Sequence, residues 1–342
     1  MTTATAKAAN VSVPRPSLAH RALHARETPV LSVLIVTTIV TTAINSQFLS
    51  AQGVRDLLLS VSFIALMAVG ETFVITMRHV DLSVGSTMGI ATYFCAVAVR
   101  DVHGVPLLVM LGTGILVGFV VGLVNGLLVA LLRLPALVVT LSTLYIVQGL
   151  RNLLIGPKRF NPQDLPKVVV DIGTGTWLGI PWLMWVVVVV AAIATPAARY
   201  TRFGRDLYAM GSNPEAAQRV GIPVTRRTIG AFVVCGVCAG IAGAVLLSRF
   251  GGTDANAGDG TELSVVAACV VGGVFIFGGS GSPWGAVVGA LLLKVLALAL
   301  LALRAPEFWQ QALVGALIIG AISIDRVAVV RAERQRRRES RR

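Results

Sequence analysis

The stretch PLLVMLGTGILVGFVVGLVNGLLVALL, from Pro106 to Leu132, carries no charged side chain and ends against Arg133. About 20 apolar residues in an α-helix cross the hydrocarbon core of a bilayer, so this stretch is long enough to span one. Nine further apolar segments have the same character, and the chain is predicted to be an all-α, polytopic integral membrane protein with about ten transmembrane helices. The ten predicted spans are Pro29–Asn45, Arg55–Met77, Leu82–Val99, Pro106–Leu132, Pro135–Leu154, Pro181–Ala198, Thr228–Ser248, Glu262–Gly278, Pro283–Leu303 and Phe308–Asp325.

The overall composition excludes the main soluble classes. Hydrophobic residues make up 55% of the 342 residues and charged residues 13%, whereas soluble domains carry about 25% charged residues. No segment shows the alternating polarity of a transmembrane β-barrel strand. The net charge of +13 would suggest nucleic acid on a soluble protein, but its placement near span ends favours contact with anionic membrane lipid and no nucleic acid.

The distribution of Lys and Arg predicts the orientation and the domain limits. With the N-terminus inside, most of the 29 basic residues fall on the cytoplasmic side, as the positive-inside rule requires. An even number of spans then places both termini in the cytoplasm of a bacterial inner membrane protein. We expect a disordered leader over residues 1–28, a transmembrane permease domain over 29–327 and a basic tail over 328–342.

The motifs of most enzymes are missing from the sequence. No lysine follows a glycine, so the chain has no nucleotide-binding P-loop, and HExxH and GxSxG are absent. The four cysteines lie in apolar segments and are expected to be buried, inert thiols. The sequence therefore predicts no catalytic residue, no metal site and no cofactor. Because few charged residues lie inside the spans, another polypeptide is expected to supply the energy for transport.

The polar segment Arg199–Arg227 is the longest internal one on the predicted cytoplasmic side. Asn213-Pro214 is a typical helix start, and Gly221-Ile222-Pro223 a typical helix end. The helix predicted between them, Pro214–Val220, is too short to be stable alone, which favours docking on a partner. An ordinary loop helix is the alternative.

This segment resembles a known family. Glu215-Ala216-Ala217 followed by Gly221 is similar to the EAA coupling motif of ABC importer permeases, and four stretches resemble the ribose, xylose, rhamnose and autoinducer-2 branch. These are GSNPEAAQRVGI, HVDLSVGSTMGI, LVNGLLVALLRLPALVVTLSTLYIVQGL and TELSVVAACVVGGVFIFGGSGSPWGAVVGALL. Arg78-His79 departs from the usual pair of residues in the family, which bears on the substrate subgroup.

The resemblance implies that transport requires several different protein subunits. A cytoplasmic ATPase would hydrolyse ATP, an extracytoplasmic sugar-binding protein would deliver the solute, and a second permease subunit, identical or not, would complete the path. The solute would be a monosaccharide such as rhamnose or ribose, or an autoinducer-2-like compound. The residues that this resemblance assigns to ATPase coupling are Asn213, Glu215, Ala216, Ala217, Arg219 and Gly221.

A short internal repeat suggests where the solute passes. Asp81-Leu-Ser-Val recurs as Glu262-Leu-Ser-Val, five spans later, so the two copies would enter the membrane from opposite sides. That arrangement is typical of two inverted five-helix halves. The acidic residues are either helix caps or contacts to the solute. The candidate path residues are Asp81, Ser83, Asn125, Glu262 and Ser264.

Two other functional classes stay open at this stage. A stand-alone ion-coupled sugar carrier would need more ionisable groups inside the spans than the sequence indicates. A polytopic membrane enzyme would need an acid-base or metal constellation, and none is apparent. The sequence therefore favours a transport subunit.

Overall fold

The computed structural model describes residues 28–101, 104–155, 159–306 and 308–339. Thirteen α-helices lie within these ranges. They are α1 (Thr28–Ile44), α2 (Ala51–Thr76), α3 (Val84–Arg100), α4 (Pro106–Leu131), α5 (Ala136–Ile155), α6 (Lys167–Thr174), α7 (Trp182–Tyr200), α8 (Arg202–Ser212), α9 (Pro214–Arg219), α10 (Val224–Phe250), α11 (Thr261–Val271), α12 (Pro283–Ala302) and α13 (Phe308–Glu339). The leader predicted to be disordered lies almost wholly outside the described residues.

Six helices are long and apolar enough to cross a membrane: α2, α4, α5, α7, α10 and α12. Apolar stretches of α1, α3, α11 and α13 are shorter, and they match the other four predicted spans. The prediction of an all-helical, polytopic membrane protein is confirmed, while the count of ten spans stays a prediction. Helix α13 continues through Asp325 to Glu339, so most of the predicted basic tail is helical.

Helices α2 and α10 form the centre of the bundle. The second half of α2 is buried all round, from Ser62 to Thr76 except at Phe63, because α7, α10, α11 and α12 pack against it. Helix α10 packs against α2, α3 and α4. A helix that is apolar on every side suits this central position, since no side of it faces water.

Glycines bring α4 and α10 into backbone contact. A Cβ atom on Gly114, Gly118, Gly236 or Gly240 would collide with the backbone of the facing helix. We call these four residues the glycine seam. Gly122, four residues after Gly118, also meets the backbone of α10, so this small-residue spacing serves close helix packing. Gly289 of α12 approaches Ala268 of α11 in the same manner.

The eighth predicted span, Glu262–Gly278, is wrong in its second half. Helix α11 ends at Val271, and the chain continues through an irregular loop to α12. Gly273 and Gly278 have φ angles of 88° and 80°, a region that favours glycine and ends a helix. In this loop Phe275 N–H donates to Ser280 O at 3.0 Å, and Gly278 N–H donates to Phe275 O at 2.9 Å, so the chain makes a tight turn here.

The connection between α5 and α7 forms a small structure of its own. A 3₁₀ turn at Pro162–Asp164 leads into α6, and Thr176–Trp177 pairs antiparallel with Ile180–Pro181. Leu178 and Gly179 both have positive φ angles, as a two-residue hairpin turn requires. Trp177 stacks on Trp182 at 5.9 Å between ring centroids.

Candidate functional site

The predicted coupling helix is present as α9. The Asn213 side chain caps its start by accepting the N–H of Ala216 at 3.1 Å, and Pro214 occupies the first turn. Val220 ends the helix, and Gly221 follows with a φ angle of 82°. The start and end that the sequence predicted are therefore confirmed. The segment before it, predicted only as polar, forms the amphipathic helix α8.

The two alanines of the motif face opposite ways. Ala217 is buried, with 3% of its surface exposed, whereas Ala216 is exposed. The expectation that both small residues lie against a partner is therefore wrong for Ala217, which packs inside the chain because α9 rests on that side. Glu215, Arg219 and Val220 are exposed and give α9 a free surface.

Three contacts fix the α8–α9 segment to the bundle. Arg78, in the α2–α3 loop, donates to Gly211 O at 2.6 Å and to Ser212 O at 2.9 Å, and so caps the end of α8. Tyr208 Oη donates to Gly281 O at 2.8 Å, and burial raises the pKa of this phenol. Asp206 pairs with Arg227 at 2.7 Å. The segment is thus held to the α2–α3 loop, to the α11–α12 loop and to α10.

A groove of about 800 Å³ opens beside α9. Arg78, Arg133, Gln218 and Thr225 contribute its polar lining, and the α4–α5 loop forms its far wall. The exposed Arg219 lies at the end of α9 next to Gln218. This end of the molecule therefore offers a positively charged recess and a short exposed helix side by side.

Three of the five predicted path residues meet in one buried cluster. Asp81 Oδ1 accepts from the Ser83 N–H at 2.9 Å and from Ser83 Oγ at 2.6 Å. Asn125 Nδ2 donates to Ser83 Oγ at 2.8 Å, and Thr143 Oγ1 donates to Asn125 Oδ1 at 2.6 Å. Glu71 Oε1 accepts the Asp81 N–H at 2.9 Å. Since these side chains are buried, the cluster joins α2, α3, α4 and α5 rather than lining an open path.

The other two path residues lie on α11. Glu262 is in the first helical turn and half-buried, close to Gly85 of α3. Ser264 lines a cavity of about 380 Å³ between α11, α12 and α13. The two copies of the repeat are therefore not equivalent: Asp81 is buried and holds a turn through Oδ1, while its Oδ2 has no hydrogen-bond partner among the described residues, and Glu262 is only half-buried.

One ion pair was not foreseen from the sequence. Arg151, near the end of α5, has no exposed surface and pairs with the more exposed Asp259, whose Oδ1 lies 2.8 Å from the guanidinium. It also donates to Ala257 O, and Gln148 Nε2 donates to Asp259 at 2.7 Å. The loop between α10 and α11 is thereby held against α5. Nothing in the sequence around Arg151, four residues before the end of α5, indicated that Asp259 is its partner.

The described residues hold no group of three or more His, Cys, Asp or Glu side chains suited to a metal ion. Their four cysteines are buried and unbridged.

A protein-family model described as the permease component of a branched-chain amino acid transport system matches residues 53–322. The chain belongs to this family. The match covers all the described spans except α1. It confirms the resemblance to importer permeases, and it confirms that the chain is a transport subunit and not an enzyme.

Relatives of this permease extend the comparison to nearly the whole chain. The autoinducer 2 import system permease protein LsrC of Salmonella paratyphi B is 33% identical over 300 residues, which cover 88% of this chain and 86% of the relative. The proteins of the same name from Enterobacter sp. and Yersinia pestis are each 34% identical, over 295 and 297 residues. They cover 85% and 86% of this chain, and 85% and 84% of their own lengths. No solved structure matches this permease significantly.

Proposed function

We propose that the chain is the membrane-spanning subunit of an ATP-driven importer that moves a monosaccharide or an autoinducer-2-like compound into the cytoplasm. The observation that carries this proposal is α9, a six-residue helix with a marked start and end, a buried inner side and an exposed outer side. A helix this short is held by its surroundings. Its exposed residues and the groove beside it form a surface for an ATPase.

The remaining subunits follow from the same proposal. A cytoplasmic ATPase binds the α8–α9 end, and an extracytoplasmic sugar-binding protein binds the opposite end, where residues 159–181 form the hairpin and α6. A second permease subunit, identical or not, completes the path. Both termini lie in the cytoplasm of a bacterial inner membrane, which the excess of Lys and Arg at that side supports.

Packing supports an inverted arrangement of two five-helix halves. We assign α1–α5 to the first half, and α7 with α10–α13 to the second. Helix α2 contacts α10, α11 and α12, and its counterpart α10 contacts α2, α3 and α4. Likewise α3 contacts α4 and α5, and α11 contacts α12 and α13. Both third helices are short and start inside the bundle, which is typical of inverted-repeat transporters.

The solute class rests on the relatives. The family description names branched-chain amino acids, whereas the relatives that match over most of their length import autoinducer 2. We favour the second class because these matches cover nearly the whole chain. Rhamnose and ribose remain candidates beside autoinducer 2, and the motifs MRHVDLSVGS and PEFWQQ resemble those of rhamnose and autoinducer-2 permeases more closely than those of ribose permeases.

A stand-alone ion-coupled carrier is the second candidate. The bundle buries more ionisable groups than the sequence suggested, among them Glu71, Asp81 and Arg151. The Glu71 carboxylate accepts the backbone N–H of Asp81, and buried ionisable groups of this kind serve proton relays in ion-coupled carriers. Such a carrier would move solute without any ATPase.

The two candidates differ in one experiment. The chain is reconstituted in proteoliposomes with its cognate ATPase and binding protein, and uptake of labelled rhamnose, ribose and autoinducer 2 is followed. We expect uptake only with ATP and with an active ATPase. Uptake by the chain alone, driven by a proton gradient and insensitive to ATP, would overturn the proposal and support the carrier.

A further inference from the structure

A cavity of about 380 Å³ lies between α2, α11, α12 and α13. Its apolar lining includes Ile64 and Leu293, and its polar lining comes from Ser264, Lys294, Gln310 and Gln311. Ligand pockets for small molecules measure about 300–1,000 Å³ and combine an apolar wall with a few polar groups. The cavity therefore has the size and composition of a site for a small solute.

Lys294 is the unusual member of this lining. It lies in the middle of the apolar helix α12 and is half-buried, with Nζ above the Phe63 ring at 5.7 Å from the centroid. Within the part of the chain that the structure describes, no carboxylate forms an ion pair with it. A charged side chain inside a span is costly and usually serves a transport path or a buried partner. Here the Lys294 side chain lines the cavity.

The donors around the cavity fit one kind of ligand chemistry. An ammonium group has three N–H donors and no acceptor, and each glutamine amide adds two donors and an acceptor. These groups suit a molecule rich in oxygen, while Ile64 and Leu293 suit the apolar side of a sugar ring. The faces of α11 and α13 also carry exposed residues, Leu263 and Phe308, so the site lies near the surface of the subunit.

We propose that this cavity is a solute site in the membrane, and that Lys294 binds an oxygen atom of the solute. The solute is a small oxygen-rich molecule, either a neutral polyol or a sugar acid. Both classes offer an oxygen lone pair that accepts a hydrogen bond from the Lys294 ammonium. This inference rests on the proposed transport function and gives that function a residue-level site.

The test compares variants in proteoliposomes with the ATPase and the binding protein. Lys294→Met removes the charge, Lys294→Arg keeps it, and Arg304→Met removes an exposed positive charge of the α12–α13 connection as a control. The probes are labelled rhamnose, ribose, galacturonate and autoinducer 2. We expect Lys294→Met to raise KM by on the order of tenfold for the imported probe. Lys294→Arg should recover part of the loss and Arg304→Met should leave KM unchanged, with ATPase co-purification equal in all three.

The remaining probes and variants distinguish a carboxylate ligand from a hydroxyl ligand. They also distinguish a binding role of the cavity from a purely structural one. A larger loss for galacturonate than for neutral sugars identifies a carboxylate ligand, and an equal loss identifies a hydroxyl. Gln310→Leu and Gln311→Leu should each raise KM to a smaller degree, and they serve as the test if Lys294→Met fails to insert. ATP-dependent uptake with an unchanged KM in all these variants would overturn the site while leaving the transport function intact.

Discussion

At the scale of single residues, several buried polar groups of this permease form hydrogen bonds that hold loops in place. Glu71 accepts the Asp81 N–H, and Cys235 Sγ donates to Glu71 Oε2 at 3.2 Å. Arg151 is enclosed by the Asp259 carboxylate and the Ala257 carbonyl. An unpaired polar group in an apolar interior is costly, so these pairs fix where the α2–α3 and α10–α11 loops lie.

Asp81 is expected to act as a turn residue, so that Asp81→Asn keeps most of the transport. An asparagine still accepts the Ser83 N–H, and asparagine caps as well as aspartate. Asp81→Ala should lose about 0.5–2 kcal/mol of stability. Initial uptake rates at matched membrane levels and thermal unfolding in detergent check both. A sharp fall of uptake in Asp81→Asn with normal unfolding would instead place Asp81 in the path.

Arg151 is expected to contribute to the stability of the fold. Arg151→Met removes the buried donor to the Ala257 carbonyl, whereas the exposed Asp259 carboxylate stays hydrated, so we expect a loss of about 1–3 kcal/mol of stability. We expect a lower unfolding temperature in detergent and a lower membrane level. Arg249→Met is the control, because that arginine makes a longer and more exposed contact with Asp56, at 3.6 Å. Equal unfolding temperatures for the two variants would contradict this role.

At the scale of elements, the short helix α9 depends on its anchors. Its own hydrogen bonds are too few for independent stability. Ala217 fills the inner contact, Asn213 caps the start, and Arg78 holds the end of α8. Because Tyr208 also donates to Gly281 O, a displacement of α8–α9 acts on the α11–α12 loop directly.

The exposed side of α9 is expected to carry the contact with the ATPase. Ala216→Arg places a bulky charge on that side without touching the interior, so sugar uptake and ATPase co-purification should fall at a normal membrane level. Gly221→Val should have a similar effect, because a non-glycine residue at φ 82° costs about 1–2 kcal/mol. Gln47→Arg, at an exposed position between α1 and α2, is the control. Normal uptake with bound ATPase in Ala216→Arg and Gly221→Val would make this segment a plain loop.

Ala217→Arg is a weaker test of ATPase coupling than Ala216→Arg. The side chain at this position is buried within the chain, so the substitution disturbs packing as well as docking. A loss of uptake in this variant therefore does not separate the two effects.

Arg78 is expected to transmit the position of α8–α9 to the bundle. Arg78→Gln loses the paired bonds to Gly211 O and Ser212 O, so transport should fall severalfold while ATP hydrolysis by the assembled complex continues. Arg133→Gln removes an exposed arginine at the same end and controls for charge. The measurement is the ratio of solute transported to ATP hydrolysed, and an unchanged ratio in Arg78→Gln would show that the contact is dispensable.

At the scale of the whole molecule, the burial of all four cysteines permits a clean test of orientation. A membrane-impermeant maleimide should leave the native thiols unlabelled. We expect Gln163→Cys to be labelled in intact spheroplasts and Val220→Cys only after lysis, since both positions are exposed and lie at opposite ends of the bundle. The reverse pattern would invert the proposed topology.

The sequence predicted what depends on length and local order. The long spans followed from uninterrupted apolar stretches, and α9 followed from Asn213-Pro214 and Gly221. What escaped prediction depends on neighbours distant in the chain: the partner of Arg151, the inward side of Ala217 and the enclosure of Asp81. The early end of α11 also escaped, because Gly272-Gly273 stands inside an apolar stretch where glycine is common.

The glycine seam between α4 and α10 has a consequence for synthesis of the protein. Gly118 and Gly236 are separated by roughly a hundred residues, which a ribosome adds in about 5–20 s. During that interval α4 lies in the bilayer with the backbone at its glycines uncovered, because α10 has not yet been synthesised. Prematurely terminated chains that lack α10 should therefore be recognised by membrane proteases and disappear quickly, whereas chains shortened only beyond α12 should persist.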